Sequence, residues 1–341
     1  MVHLTKRQKL LLSTFKAVLA AVILAFLFTR IQRQSGFTRL LNEPKHWASL
    51  LVAQGLVLTA FSLSFVRWFL LVRGLNMEFH LRDAFRLGSL GFMLNQVSPG
   101  SVGGDLLKAV FIAKEQPGRR PEAVATVLID RFIGLYAMLL VASVGLTFAE
   151  VANESIALIH TMQTIVWTSA AVGTAVFALV MSPMAPGRHF REPMGRLPVI
   201  GHTLTRLIDG MAVYRSRRRY LFAAIGLATC THILLVVAFW CVSRGLPVHG
   251  PTFFQNASIV PIALVAGAIP MTPSGLGTLE FVLEFLYVSI GASKGDGTIV
   301  SLAYRATTYV VAGVGACYYL SSRKNVDRML HDAEALAVEL E

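Results

Sequence analysis

Charge is scarce in this 341-residue chain and acid is scarcest, with 15% of residues charged and 19 Asp or Glu against 31 Lys or Arg. So little charge, beside a mean hydropathy of +0.61, excludes water as the main solvent and predicts a polytopic membrane protein. A formal net charge of +12 would also suit a nucleic-acid binder. The basic residues, however, sit in short clusters between apolar runs, as the positive-inside rule produces, so no nucleic-acid partner is expected. The three cysteines, Cys230, Cys241 and Cys317, fall inside apolar segments without metal-ligand spacing and read as inert packing residues. Histidines are scattered, Ser and Cys lack a positioned base, and no Gly-rich loop joins a strand to a helix. No enzyme constellation, cofactor or metal site is therefore expected.

What the chain does have is apolar runs long enough to cross a bilayer at about 20 residues each, near 10–29, 47–72, 122–148, 161–183, 220–243 and 297–320. The first follows Lys6, Arg7 and Lys9 but is longer than a usual signal-peptide core and lacks a small-residue cleavage site, so it reads as a retained span. Two further apolar hairpins, near 84–114 and 253–291, each turn at a Pro/Gly cluster. The first has short, charged arms (Arg86, Lys108) and reads as re-entrant; the arms of the second leave two full crossings open. The expected fold is an all-α polytopic membrane protein with six spans plus two Pro/Gly-broken re-entrant hairpins, six to eight transmembrane helices in total. It forms a single transmembrane domain over 1–320 with a short cytosolic tail, 321–341.

Orientation follows from the basic residues. With the N-terminus inside, 23 Lys or Arg fall on inner segments and six on outer ones, although four of the six (Arg30, Arg33, Arg39, Lys45) share one loop. Both termini are therefore expected in the cytoplasm. In the inner loop, Leu197, Ile200, Leu204, Leu207, Ile208 and Met211 recur at helical spacing with Arg206 and Arg215 among the polar positions. Either an interfacial helix on anionic lipid or a helix packed beneath the bundle fits that pattern.

The stretch Asn95 to Lys108, NQVSPGSVGGDLLK, returns 174 positions later as AIPMTPSGLGTLE from Ala268, so that Pro99 matches Pro273 and Gly103 matches Gly277. Pro and Gly break helices. Broken backbone at membrane depth is tolerated only where protein or a wet cavity surrounds it. Arg131 lies 32 residues after Pro99 and Arg305 lies 32 after Pro273, while Arg73-Gly74-Leu75 and Arg244-Gly245-Leu246 close corresponding spans. Each single match is ordinary membrane packing, but the ordered series reads as an internal repeat with halves of about 10–148 and 161–320. Each half makes three net crossings, so the repeat is inverted, a plan that puts substrate where broken helices meet near the midplane.

Arg131 and Arg305 fall near the middle of their spans. A lone arginine there costs on the order of 3 kcal/mol on insertion scales, so each needs a partner or water. Adjacent Asp130 cannot face Arg131 on a helix, which leaves Asp105 and Glu280 as candidate partners. Two readings stand: the arginines grip a phosphate through their planar fork, or they form buried structural pairs. Asp105, Glu280 and Glu284 can likewise carry protons or simply stabilise helix N-termini, and Lys108 can bind substrate or snorkel to the interface. The candidate substrate-binding set is Asn95, Pro99, Gly103, Gly104, Asp105, Lys108, Arg131, Pro270, Pro273, Gly275, Gly277, Glu280 and Arg305.

With NQVSPGSVGGDLLK, Asp130-Arg131 and PMTPSGLGTLE in order, the chain resembles the flippase-like transmembrane region of the lysylphosphatidylglycerol synthase family from about Leu10 to Leu320. The resemblance departs at Ser274, where the family usually shows Gly, and at Lys108, where Arg is common. It implies a multi-pass protein of a prokaryotic cytoplasmic (inner) membrane that moves or presents a lipid. In full-length synthases an aminoacyl-transferase domain follows; this chain ends without one, so lysyl transfer is not expected. The leading expectation is a lipid translocase or lipid-handling protein with anionic phospholipid or a lipid-linked headgroup as partner. The alternatives are a non-enzymatic membrane partner of a lipid-linked glycosyltransferase and, less favoured, a membrane-embedded transferase; a second copy of the chain (a homo-oligomer) or a partner membrane enzyme is the expected protein partner.

Overall fold

The computed structural model describes residues 35–97, 103–116, 118–148, 156–181, 214–268 and 275–321. Among these residues all regular structure is helical: α1 (Ser35–Asn42), α2 (Trp47–Gly74), α3 (Leu81–Val97), α4 (Gly103–Glu115), α5 (Arg120–Phe148), α6 (Ile156–Met181), a short 3₁₀ turn (Tyr214–Arg217), α7 (Arg218–Gly245), α8 (Phe253–Ala268), α9 (Thr278–Ser289) and α10 (Asp296–Ser321). The first expected span, the amphipathic segment of the inner loop and the tail lie outside the described residues. So do Pro99, Pro270 and Pro273.

Among the described residues, four helical segments are long and apolar enough to cross a membrane: α2, α5, α7 with its preceding turn, and α10. Helix α6 runs 26 residues without a Lys, Arg, Asp or Glu. The hairpin arms are different. Helices α3 and α4 have 17 and 13 residues, and α8 and α9 have 16 and 12. At 1.5 Å per residue the longest of these described arms accounts for about 25 Å, beside a hydrocarbon core about 30 Å thick. Helix α9 ends at Ser289, before the left-handed Gly291 (φ 87°).

Helices α2 and α7 form an antiparallel central pair. The His46 amide, just before α2, donates to the Gly245 carbonyl at the end of α7 (3.0 Å), and the Tyr214 hydroxyl, just before α7, donates to the Leu71 carbonyl near the end of α2 (2.6 Å). Two apolar clusters occupy opposite ends of this pair. Trp68, Leu71, Ile112, Ile129 and Leu221 belong to one, and Val57, Phe239, Val260, Leu283 and Tyr304 to the other. Packing then crosses between the two ends. A Cβ at Gly145 of α5 would lie 2.4 Å from the Ala257 carbonyl carbon of α8, and one at Gly315 of α10 would lie 2.3 Å from the Ser89 oxygen of α3. Such backbone approach is available only to glycine, and it seats α8 on α5 and α3 on α10. Outward faces carry Leu51, Val52, Phe222, Val144 and Val314, an apolar exterior suited to lipid and unsuited to water.

Helix ends within the bundle are closed by side chains that reach from neighbouring elements. Asn95 Oδ1 accepts from the Gly104 amide at the start of α4 (2.8 Å), and Glu284 accepts from the amides of Gly295 and Thr298 at the start of α10 (2.6 and 3.0 Å). These contacts satisfy N–H groups that a helix cannot satisfy for itself. They also place Glu284 in a capping role. Arg39, one of the four basic residues clustered on the expected outer side, bonds the fully buried Asp296 (2.9 Å) and pins α1 to α10.

Candidate functional site

Within the bundle lies a cavity of about 690 Å³, walled by α2, α3, α4, α5, α7, α8, α9 and α10. Of the sequence-predicted residues, Asn95, Asp105, Lys108, Arg131 and Arg305 line it. Gly103, Gly104, Gly275, Gly277 and Glu280 stand behind the lining and build the hairpin bends. In the first hairpin a Cβ at Gly104 would fall 2.0 Å from the Gly91 carbonyl oxygen; in the second, one at Gly275 (φ 64°) would fall 2.1 Å from that of Gly267. Each pair of arms is thus drawn together glycine against glycine, which brings the charged first turns of α4 and α9 to the cavity.

Three arginines meet three carboxylates here. Arg305 Nε donates to Glu280 Oε1 (2.7 Å) and its Nη2 to the Gly275 carbonyl (3.3 Å), while Glu280 Oε2 accepts from the Gly277 amide (2.7 Å). The pair is sealed, with side-chain exposures of 7% and 0%. Arg131 Nε donates to Asp105 Oδ2, and this pair is open, at 43% and 19%. Both acids expected as partners for the mid-span arginines are therefore the ones they bond.

The third pair corrects the sequence reading. Arg67, counted among the inner basic residues, lies buried inside α2 and holds Asp130 with both edges of its fork, Nε to Oδ1 at 2.7 Å and Nη2 to Oδ2 at 3.1 Å. Its position inside the 47–72 apolar run, together with an otherwise unmatched acid in the next span, was the signal available. Asp130 and Arg131 are neighbours in sequence, yet about 100° apart around α5. One turns to α2 and the other to α4.

Lys108 completes the charged end. Its ammonium lies 5.2 Å over the ring of buried Trp68, and among the described residues it bonds no carboxylate. Its stem passes Gly91, whose added Cβ would stand 3.4 Å from Lys108 Cε. Away from these charges the lining is apolar, with Phe61, Phe92, Leu135, Met138 and Leu235; Phe61 and Phe92 lie 4.3 Å apart between centroids. Leu135, one turn beyond Arg131, is 41% exposed, so the cavity opens along that face of α5. On the far side His232 Nε2 meets the Gly134 carbonyl at 3.0 Å and ties α7 to α5. The site thus lines one cavity with charged side chains beside aromatic and aliphatic ones, a combination that can hold an amphiphile.

Comparison with known proteins agrees with this architecture. The UPF0104 membrane protein PH1989 of Pyrococcus horikoshii is 24% identical over 285 residues, covering 76% of this chain and 82% of the relative. The UPF0104 membrane protein MJ1595 of Methanocaldococcus jannaschii is 20% identical over 274 residues, covering 77% and 81%. No solved structure matches. The family described as the lysylphosphatidylglycerol synthase TM region matches residues 13–315. A multi-pass chain matched over nearly its whole length belongs to the lysylphosphatidylglycerol synthase transmembrane-region family.

Proposed function

We propose that this protein is an integral membrane lipid translocase or lipid-handling protein, with a phospholipid or a lipid-linked headgroup as its substrate. The observation that carries the reading is the cavity itself. Its volume, about 690 Å³, suits a ligand of ordinary size. Its charged lining comes from α2, α4, α5 and α10, the rest of its wall is largely aromatic and aliphatic, and Arg131 and Leu135 are exposed on one face of α5, where acyl chains would enter from the bilayer. A soluble anion would not need the apolar lining.

An inverted repeat completes the proposal. The antiparallel α2 and α7, the crossed Gly145 and Gly315 contacts and the two glycine-bound hairpins support a pseudo-two-fold arrangement in which both hairpins are re-entrant. The excess of 23 basic residues over six supports cytoplasmic termini and a single domain in a prokaryotic cytoplasmic membrane. In this arrangement the headgroup sits between the halves and changes sides as one half rocks against the other.

The test is purification in mild detergent, mass spectrometry of retained lipid, and reconstitution into vesicles with a fluorescent phospholipid whose outer-leaflet pool is quenched. Retained phospholipid and transbilayer movement faster than in protein-free vesicles are expected of a translocase; retention without movement would assign lipid handling alone. Neither retention nor movement would reject the proposal.

A further inference from the structure

Outside the cavity lining, one buried acid holds three elements together. Asp296 opens α10 with its side chain fully buried; its Oδ1 accepts from Arg39 Nη2 of α1 (2.9 Å) and its Oδ2 from the His249 amide in the turn between α7 and α8 (2.9 Å). The other end of the guanidinium, Arg39 Nη1, lies 2.9 Å from His249 Nδ1 and donates to the Pro247 carbonyl at 3.4 Å. Arginine has no acceptor and keeps its protons throughout the pH range that proteins meet. At 2.9 Å, Nδ1 must therefore be the acceptor, so His249 is neutral here and carries its proton on Nε2. The imidazole is 77% exposed, against 19% for Arg39 and 0% for Asp296. A proton can reach the ring from water, while the ion pair that the ring braces is largely out of water.

We propose that Arg39, His249 and Asp296 form an acid-released latch, in which protonation of His249 frees α1 from α10. Histidine is the side chain whose charge ordinarily changes between pH 5 and 8. A proton on Nδ1 removes the acceptor and sets two positive donors face to face at hydrogen-bond distance, so Arg39 withdraws. Losing the arginine alone would strand a buried carboxylate, which is strongly unfavourable. His249 supplies the replacement, because its Nδ1 already lies 3.9 Å from Asp296 Oδ2 and the imidazolium takes over the counter-charge as the guanidinium leaves. The released form binds the proton better than the latched form, so the latch is closed above the histidine range and opens as pH falls through it. Within the turn, 246–252, His249 is the one ionisable side chain, and α8 has none. On the neighbouring elements, Arg244 at the end of α7 lies over the Trp240 ring at 5.6 Å, and Glu284 of α9 is committed to the Gly295 and Thr298 amides. Tyr287 of α9 feels the Asp296 charge, and its hydroxyl donates to Asn256 Oδ1 at 3.4 Å. Lys294 precedes Asp296 by two residues, and Glu43, Lys45 and His46 follow Arg39, so substitution at position 249 has to separate its titration from theirs. The latch ties α1, which leads into α2, to the helix that carries Arg305 nine residues, about 14 Å, further along. It lies at the end of the bundle where His46 meets Gly245 (3.0 Å). The proposed orientation turns that end outward, where the pH that the latch reads is the external one.

The experiment is hydrogen–deuterium exchange on the full chain in nanodiscs at pH 8 and pH 5, with protection factors corrected for the pH dependence of the intrinsic exchange rate and α5 as the internal reference. In the parent, protection over 35–42 is expected to fall roughly tenfold or more at pH 5, the scale of one lost hydrogen bond to a charged group, while α5 stays unchanged. His249→Gln offers Arg39 a neutral oxygen and should keep α1 protected at both pH values. His249→Lys carries its charge at both and should leave α1 unprotected at both. Arg39→Gln removes the arm itself and should match His249→Lys, which keeps the test open if one of the two variants does not fold. Equal protection of the parent at pH 8 and pH 5 would overturn the latch, because nothing is then released. A fall at pH 5 that persists in His249→Gln would overturn it as well, because another group then titrates. Arg39→Gln protected like the parent at pH 8 would show that the arm holds nothing, and would also overturn it. None of these readouts depends on lipid movement, so the latch and the lipid-handling proposal fail separately.

Discussion

Replacing Asp130 with Asn isolates the buried charge at the centre of the bundle. The Arg67 guanidinium is 7% exposed and spends two of its N–H groups on the Asp130 carboxylate, at 2.7 and 3.1 Å. An amide in that place accepts one bond and turns an NH₂ toward the fork, leaving a positive charge buried without a counter-charge. Breaking a buried pair in this way costs about 3 to 5 kcal/mol. At roughly 2 °C per kcal/mol for a large cooperative unit, the melting temperature should fall by about 6–10 °C. Unfolding in detergent is irreversible, so the quantity to compare is the temperature at which half the monodisperse peak is lost on size exclusion, at one heating rate. The double variant Arg67→Met with Asp130→Leu removes both charges together and should recover most of the loss, because neither partner is then left alone. An Asp130→Asn protein that melts within about 1 °C of the parent, or a double variant no better than the single one, would refute the assignment of this pair as a mutually compensated ion pair.

Gly104→Ala should drive α4 from α3, because the new methyl would stand 2.0 Å from the Gly91 oxygen; a loss of about 1–3 kcal/mol or more is expected in the same melting assay, and a neutral result would put the hairpin contact in doubt. Glu284→Ala should cost about 1 kcal/mol by uncapping α10, with the loss read as faster hydrogen exchange at Gly295 and Thr298, the amides it holds. Reporter fusions at Ser155 and at the C-terminus should report opposite sides of the membrane; equal signals would undo the crossing count and, with it, the inversion of the repeat.

The parts of this fold that could be read in advance are those where membrane burial leaves few options. A mid-span arginine must find an acid, and the hairpin turns offered Asp105 and Glu280, which are the partners that Arg131 and Arg305 take. Arg67 escaped because it sits six residues before Arg73 near the end of an apolar run, where a basic side chain reads as snorkelling to the interface. Hydropathy reports the solvent around a segment and not where its helix stops, so the apolar sequence alone did not show that α9 ends at Ser289. The seat of Lys108 on Trp68 joins residues 40 positions apart on different helices; no local pattern in either segment encodes it.

The proposed repeat is most informative where its halves differ. At the offset of 174 that relates Arg131 to Arg305, Lys108 corresponds to Val282 and Asp130 to Tyr304. Tyr304 is buried and stacks on Phe239 at 4.2 Å between ring centroids, in the place where the first half keeps a buried ion pair. Around the cavity, among the described residues, the second half contributes the buried Arg305–Glu280 pair, and the first contributes the open Arg131–Asp105 pair, the buried Arg67–Asp130 pair and Lys108. Under the proposed translocation, a headgroup between the halves would meet the exposed Arg131 and Lys108 of α5 and α4 on one side and the buried, compensated Arg305–Glu280 pair on the other, so the groups able to hold it would lie on the first half.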